Sequence, residues 1–161
     1  MTVQHPSAMR SSNALLAKHP LFADLPDEYA RTLLSTASEA TCDEGQIIFR
    51  EGEPADRFYL IIEGRVDLEA FSLQYGSMVI DELESGDAFG WSVLVPPHRW
   101  RFDARARSRT RLLVLDGPAL REHSEKDPGL GYALLQRFAM LLEQRLQAVR
   151  RQLIERRSRS W

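Results

Sequence analysis

Residues 45–66 read GQIIFREGEPADRFYLIIEGRV, and this stretch decides the fold. Gly45, Gly52 and Gly64 stand where the chain must reverse, because glycine enters positive φ at little steric cost. Between them lie two runs of β-branched and aromatic residues, Ile47-Ile48-Phe49 and Phe58-Tyr59-Leu60-Ile61-Ile62, which predict strands. After the reversal at Glu63-Gly64, Val66, Leu68 and Ala70 alternate with Arg65, Asp67 and Glu69 along 65–71. That period of two predicts a half-buried strand.

The β signals extend from about residue 40 to 116. Val79–Leu83 predicts a further strand before a turn at Ser85-Gly86-Asp87, and Arg109–Asp116 carries Leu112, Leu113, Val114 and Leu115. Helical patterns flank this block. Residues 13–38 place Leu15, Leu16, Leu21 and Phe22 on a first helix. A second opens at Pro26, with Asp27 and Glu28 in its first turn and Tyr29, Leu33, Leu34 and Ala37 on its buried face. Asp116-Gly117-Pro118 starts a short helix and Asp127-Pro128 a longer one, of about 25 residues by its apolar pattern. Its stripe holds Leu134, Leu135, Phe138, Leu141, Leu142, Leu146, Val149 and Leu153. The expected class is α+β, mainly β: an antiparallel jelly roll or barrel with N-terminal helices and a long C-terminal helix. The expected divisions are an N-terminal segment 1–18, a barrel domain 19–128, and a C-terminal helix with a basic tail 129–161.

At 161 residues and 18.4 kDa the chain suits one domain with one core. No apolar run reaches the roughly 20 residues that span a bilayer, and the first twenty residues lack a secretory signal's apolar stretch. One cysteine, Cys42, reads as a small buried hydrophobe, and with no second thiol to pair with it points to a cytoplasmic address. The net charge of −2 conceals an asymmetry. Residues 1–98 hold 6 Lys+Arg against 16 Asp+Glu, whereas 99–161 hold 15 against 7. Only Lys18 and Lys126 are lysines. A basic C-terminal half suits phosphate or nucleic acid, and equally solvated or self-complementary helix faces, which are the preferred reading without a nucleic-acid motif.

The spacing F-x-x-G-x-x-x-D-x-x-Y-x-I-x-x-G-x-V, carried by Phe49, Gly52, Asp56, Tyr59, Ile61, Gly64 and Val66, resembles the opening of a cyclic nucleotide-binding domain. The resemblance covers nearly the whole chain for fold. It implies that 86–107, GDAFGWSVLVPPHRWRFDARAR, is the phosphate-binding cassette, where helix N–H groups and a guanidinium capture the cyclic phosphate. The family's F-G-E begins here as Phe89-Gly90, with Trp91 in place of the glutamate that binds the ribose hydroxyl. Counting back from Arg105-Ala106, the family's phosphate arginine falls on Trp100 and the following small residue on Arg101.

Residues 99–107 alternate, with Arg99, Arg101, Asp103, Arg105 and Arg107 against Trp100, Phe102, Ala104 and Ala106. If the charged face lines the pocket, Arg99 or Arg101 holds an anion and Asp103 orients it. If the aromatic face points inward, Trp91, Trp100 and Phe102 fill the pocket, and the arginines pair with Asp103 and solvent. The candidate ligand residues are Phe89, Gly90, Trp91, Ser92, Arg99, Trp100, Arg101 and Asp103. The ligand implied by the resemblance is a cyclic nucleotide or another small anion.

Nothing reads as catalytic or metal-binding. His98 is a lone loop histidine, and His5, His19 and His123 are scattered. Ser92 lacks a nucleophile-elbow context. Glu51/Glu53 and Asp81/Glu82/Glu84 read as solvated turn and strand-edge charges.

Two functional readings follow. One is a stand-alone regulatory sensor with an altered cassette that binds cyclic AMP poorly, or binds it through Arg99 or Arg101. The other is a ligand-free protein-interaction module. The resemblance to catabolite activator-type regulators implies a homodimer through the C-terminal helix, where Leu135, Leu142 and Val149 lie seven apart with Phe138 and Leu141 between. The expectation that the chain ends at Trp161 without a helix-turn-helix argues against direct DNA binding.

Overall fold

A computed structural model describes residues 17–158, together with the backbone of Thr2–Gln4. The readings placed on Leu15, Leu16 and most of 1–18, and the last residues of the basic tail, lie outside the described residues.

Two antiparallel sheets face each other. The first has the order β1 (Thr2–Gln4), β2 (Ala37–Cys42), β9 (Thr110–Asp116), β4 (Arg57–Glu63) and β7 (Ala88–Phe89). The second runs β3 (Ile47–Phe49), β8 (Asp103–Ala106), β5 (Arg65–Ser72) and β6 (Gly76–Glu84). Helix α1 (Asp27–Ser35) precedes the sheets, and α2 (Gly117–Lys126) and α3 (Pro128–Ser158) follow them. This is the jelly roll read from the sequence.

The run in β4 lacks an alternating pattern because both of its faces are covered. Phe58, Tyr59, Leu60 and Ile61 are all buried. Tyr59 points between the sheets, stacking on Phe89 at 4.8 Å, while Phe58 stacks on Phe138 of α3 at 4.6 Å. A strand covered on both sides must be continuously apolar. In the second sheet only the inner face is covered. Val66 and Leu68 pack inward, and Asp67 and Glu69 pair outward with Arg107 and Arg105 at 3.1 and 3.0 Å.

The N-terminal helical reading needs correction. Residues 17–24 form turns and no helix: the His19 carbonyl accepts from the N–H groups of Phe22 and Ala23 at 2.9 Å, and Nδ1 accepts from the N–H of Leu21 at 3.1 Å. Ala37 belongs to β2, opposite Leu115, because α1 ends at Ser35 and the chain pairs at once with β9. The reading of 99–107 as one alternating strand also fails in part, since only Asp103–Ala106 is strand and Arg99 makes an isolated bridge to Pro54.

Helix α3 has 31 residues, about 46 Å at 1.5 Å per residue. Leu130, Leu134 and Phe138 are buried on the barrel, and Leu141 is half-buried. Phe138 and Leu141 therefore belong to the barrel stripe and not to the expected heptad seam. A second stripe, Leu135, Ala139, Leu142, Leu146, Val149 and Leu153, is spaced alternately four and three apart and faces away, Leu135 being 53% and Leu146 67% exposed. Asp116 caps α2 by accepting from the N–H of Ala119 at 2.7 Å.

Gly64 allows the β4–β5 reversal to lie against β9. Its φ is +103°, and a Cβ there would sit 2.5 Å from Thr110 Oγ1 and 2.7 Å from the Arg109 carbonyl. Gly64→Ala is expected to cost at least about 2 kcal/mol and lower the melting temperature by about 4–8 °C. Gly45→Ala, at φ +81° in open space, should cost no more than about 1–2 kcal/mol. Urea denaturation of both variants checks the contrast, and equal losses would refute the contact argument.

Candidate functional site

The cassette segment is held from both ends. Its opening turn is Ser85-Gly86-Asp87, where Gly86 exchanges backbone bonds with β4: its N–H donates to the Ile61 carbonyl at 2.8 Å, and the Ile61 N–H donates to Asp87 at 2.9 Å. His19 Nε2 meets the Gly86 carbonyl at 2.6 Å. Because Nδ1 accepts from Leu21, Nε2 must carry the proton and donate. On the far side Arg145 of α3 reaches Asp87 at 3.1 Å and Asp81 of β6 at 3.5 Å. Burial raises the Asp81 carboxyl even against the pull of Arg145. Asp81, read as a solvated strand-edge charge, is thus a half-buried partner of the long helix. The sequence offered no signal for this pairing, which joins residues 64 apart.

After β7 the chain turns left-handed at Gly90, φ +94°, into a 3-10 helix, Trp91–Leu94. A Cβ on Gly90 would lie 2.9 Å from the Arg57 carbonyl and 3.3 Å from the Trp100 ring. Glycine is what allows this close approach. Trp91 is half-buried against the core, and Ser92 and Val93 are buried.

The aromatic face of 99–106 is the inward one. Trp100 is 3% exposed and stacks on Phe49 with centroids 3.8 Å apart. Around Phe49 stand Tyr59 at 5.8 Å, Phe89 at 6.0 Å and Phe102 at 5.9 Å. Burial holds the Tyr59 phenol well above its ordinary pKa, so it stays neutral. Ala104 and Ala106 continue the same buried face.

The charged residues face out and are tied elsewhere. Arg99 donates to the Gly52 carbonyl at 2.7 Å. Arg101 is exposed and makes no ion pair among the described residues. Asp103 accepts from the Glu51 N–H at 2.7 Å and lies 3.9 Å from Arg50. Arg105 and Arg107 pair with Glu69 and Asp67 rather than with Asp103 and solvent, because β8 lies beside β5. Phe89, Gly90 and Trp100 thus lie inside, with Ser92 buried and Trp91 half-buried in the 3-10 helix, while Arg99 and Arg101 are exposed and Asp103 is engaged with Arg50 and Glu51.

Comparison with known proteins now fits this geometry. Residues 40–127 match the cyclic nucleotide-binding domain family. The chain belongs to that family. It is 31% identical to a protein of Geobacter metallireducens named for cyclic nucleotide binding, with a TM-score of 0.77 over 84% of this chain and 98% of that one. A cyclic nucleotide-binding domain of Methylobacillus flagellatus superposes with a TM-score of 0.80 at 22% identity, over 96% and 88% of the two chains, which shows the shared fold. A CRP-like cAMP-activated global transcriptional regulator of Mycobacterium tuberculosis is 25% identical over 128 residues, 80% of this chain and 57% of that protein. The chain spans between 21% and 57% of the curated relatives it matches. These relatives are named for regulation, for nucleotide binding and, in one protein of Rhodopseudomonas palustris that is 32% identical over 73% of this chain and 28% of its own length, as a potassium channel. Among the described residues no cluster of three or more His, Cys, Asp or Glu is placed to hold a metal, and no helix is long and apolar enough to cross a membrane.

His19 makes the cassette's opening turn sensitive to pH. Burial lowers its pKa below the ordinary 6.5, against weaker upward pulls from the Gly86 bond and Asp87. The unfolded chain therefore takes up the proton first, so stability is full above about pH 6.5 and falls as pH drops through the lowered native value. Thermal melts between pH 7.5 and 5 should show this decline, and His19→Ala should lower stability at pH 7.5 while flattening its pH dependence. An undiminished slope in the variant would exclude His19 as the cause.

Proposed function

We propose that this domain is a regulatory module that works as a homodimer without binding cyclic AMP. One observation carries the ligand part: Trp100, at the position matching the family's phosphate arginine, is buried and stacked face to face on Phe49. An indole there supplies no charge for the phosphate, and its ring occupies volume between the sheets. Trp91 likewise supplies no acceptor for a ribose hydroxyl. Each lost charge-assisted contact is worth about 1.5–3 kcal/mol, so two losses weaken affinity by two or more decades. Arg99, committed to the Gly52 carbonyl, and Arg101, exposed on the opposite side of the strand, do not stand in for them.

The dimer part is supported by the outward stripe of α3. Its alternate spacing of four and three is that of a heptad seam, and the barrel leaves it uncovered. Arg150, Arg151 and Arg157 flank the seam and stay in solvent.

Calorimetric titration with cyclic AMP and cyclic GMP tests the first part, with no binding expected below about 1 mM. A micromolar dissociation constant would overturn it, and Arg101→Ala would then show whether that guanidinium had taken over the phosphate. Light scattering tests the second, with about twice 18.4 kDa expected for the parent chain. Leu146→Asp, on an exposed seam position, should give 18.4 kDa with the barrel still folded by circular dichroism. A monomeric parent at every concentration would refute the seam.

A further inference from the structure

On the side of α3 that meets α2 there is a cavity of about 270 Å³, apart from the aromatic core and from the cassette turn. Its walls are apolar, formed by Leu94, Pro96, Leu135 and Gly131. Four polar residues line it: His98, Arg121, Glu125 and Ser124, whose hydroxyl already donates to the Leu120 carbonyl at 2.7 Å, which leaves the other three to consider.

These three share an incomplete set of partners. His98 Nδ1 is buried without a hydrogen-bond partner. The residue is also held left-handed, φ +56°, by the Val95 carbonyl accepting its N–H at 2.9 Å and by the Ala55 N–H donating to its carbonyl at 2.8 Å. A non-glycine residue in that conformation persists only where its surroundings fix it, so the backbone here is set and with it the direction of the Cα–Cβ bond. Arg121 uses Nη1 on the Val93 carbonyl at 2.7 Å, which anchors the guanidinium beside the cavity and leaves its other N–H groups available. Glu125, one helical turn further along α2, makes no hydrogen bond or ion pair among the described residues and does not close onto Arg121 at the usual i,i+4 spacing. An apolar hollow with one cation and one unpaired anion on its wall is complementary to a ligand that carries both charges.

We propose that this cavity binds a small zwitterion with an apolar body, of the size and chemistry of a hydrophobic α-amino acid. The carboxylate meets Arg121, the ammonium meets Glu125, and the side chain lies against Leu94 and Pro96, clear of the seam that Leu135 begins. The volume of about 270 Å³ accommodates a ligand of this size. The proposal is independent of whether the barrel binds a cyclic nucleotide, because no residue of the aromatic cluster contributes to it.

Ligand-observed and protein-observed NMR on the full chain test it, with L-leucine and L-phenylalanine as probes and with their half-molecules, isopentylamine and 4-methylpentanoate, as controls. The zwitterions should shift the resonances of His98, Glu125 and Leu135, and each half-molecule should bind at least about tenfold more weakly. Glu125→Gln should reduce affinity at least about tenfold while leaving the fold intact, since that side chain is exposed. Arg121→Lys keeps the charge and serves where a neutral substitution disturbs the Val93 contact; it should weaken but not abolish binding. No shift with any amino acid at about 10 mM, half-molecules that match the zwitterions, or a Glu125→Gln chain that binds unchanged would each overturn the proposal.

Discussion

The structure depends on the burial of β4 from both sides. Phe58 and Tyr59 point in opposite directions, and neither can be left in water without exposing an aromatic ring beside a run of three further apolar residues. The inward side requires a second sheet, from which Phe49 of β3 comes against Tyr59, while Phe89 stacks on Tyr59 from the neighbouring strand of the same sheet. The outward side requires a helix, and Phe138 of α3 supplies the ring that stacks on Phe58. A β-sandwich alone would satisfy only half of this constraint. The long helix is thus part of the core at its start, whatever its far end does.

The same constraint accounts for the aromatic character of the cassette. Phe49, Tyr59, Phe89, Trp100 and Phe102 form one contiguous layer between the sheets. Such rings contribute by area and by offset or tilted contact, and the layer tolerates a charge only if a partner comes with it. With Trp100 stacked at 3.8 Å, an arginine in its place would need a phosphate or a carboxylate within reach. No carboxylate of the outward face supplies one, because Asp67 and Glu69 of β5 already pair with Arg107 and Arg105, and Asp103 with the Glu51 N–H and Arg50. The aromatic layer is therefore self-sufficient, and of the charges of 99–107 it is Arg105 and Arg107 that tie the segment to β5.

The barrel was legible because its signals are local. Glycines at forced positive φ, such as Gly64 and Gly90, and runs such as Phe58–Ile61 report directly on backbone and burial. The orientation of 99–107 was left open because period two separates two faces without saying which is covered; only the pairing of β8 with β5 decides it. Ala37 was assigned to α1 because it keeps the helical spacing of Leu33 and Leu34, and the competing claim of β9 on it lies 78 residues away. The cavity beside His98 was missed for the same reason. His98, Arg121 and Glu125 form no spacing motif, and their convergence is a product of how α2 docks on the loop after the 3-10 helix.

Arg145 marks the point where α3 changes its role. Before it, at Leu134, Phe138 and Leu141, the helix gives its apolar stripe to the barrel; after it, Leu146, Leu153 and Ile154 are exposed. The guanidinium sits half-buried between Asp81 and Asp87, and the Asp81 carboxyl remains raised by burial despite that neighbour. Desolvation thus cancels much of the attraction, as it does in most buried ion pairs, and the net gain in stability is small. What the pair does supply is direction. Apolar packing of the earlier turns fixes the helix against sliding away from the sheet, but it constrains rotation about the axis only loosely. Two carboxylates from different elements, β6 and the turn before β7, leave one angular setting in which both distances are met. That setting points the stripe of Leu142, Leu146 and Val149 outward, and it ties any movement of the cassette turn to the helix that presents this stripe.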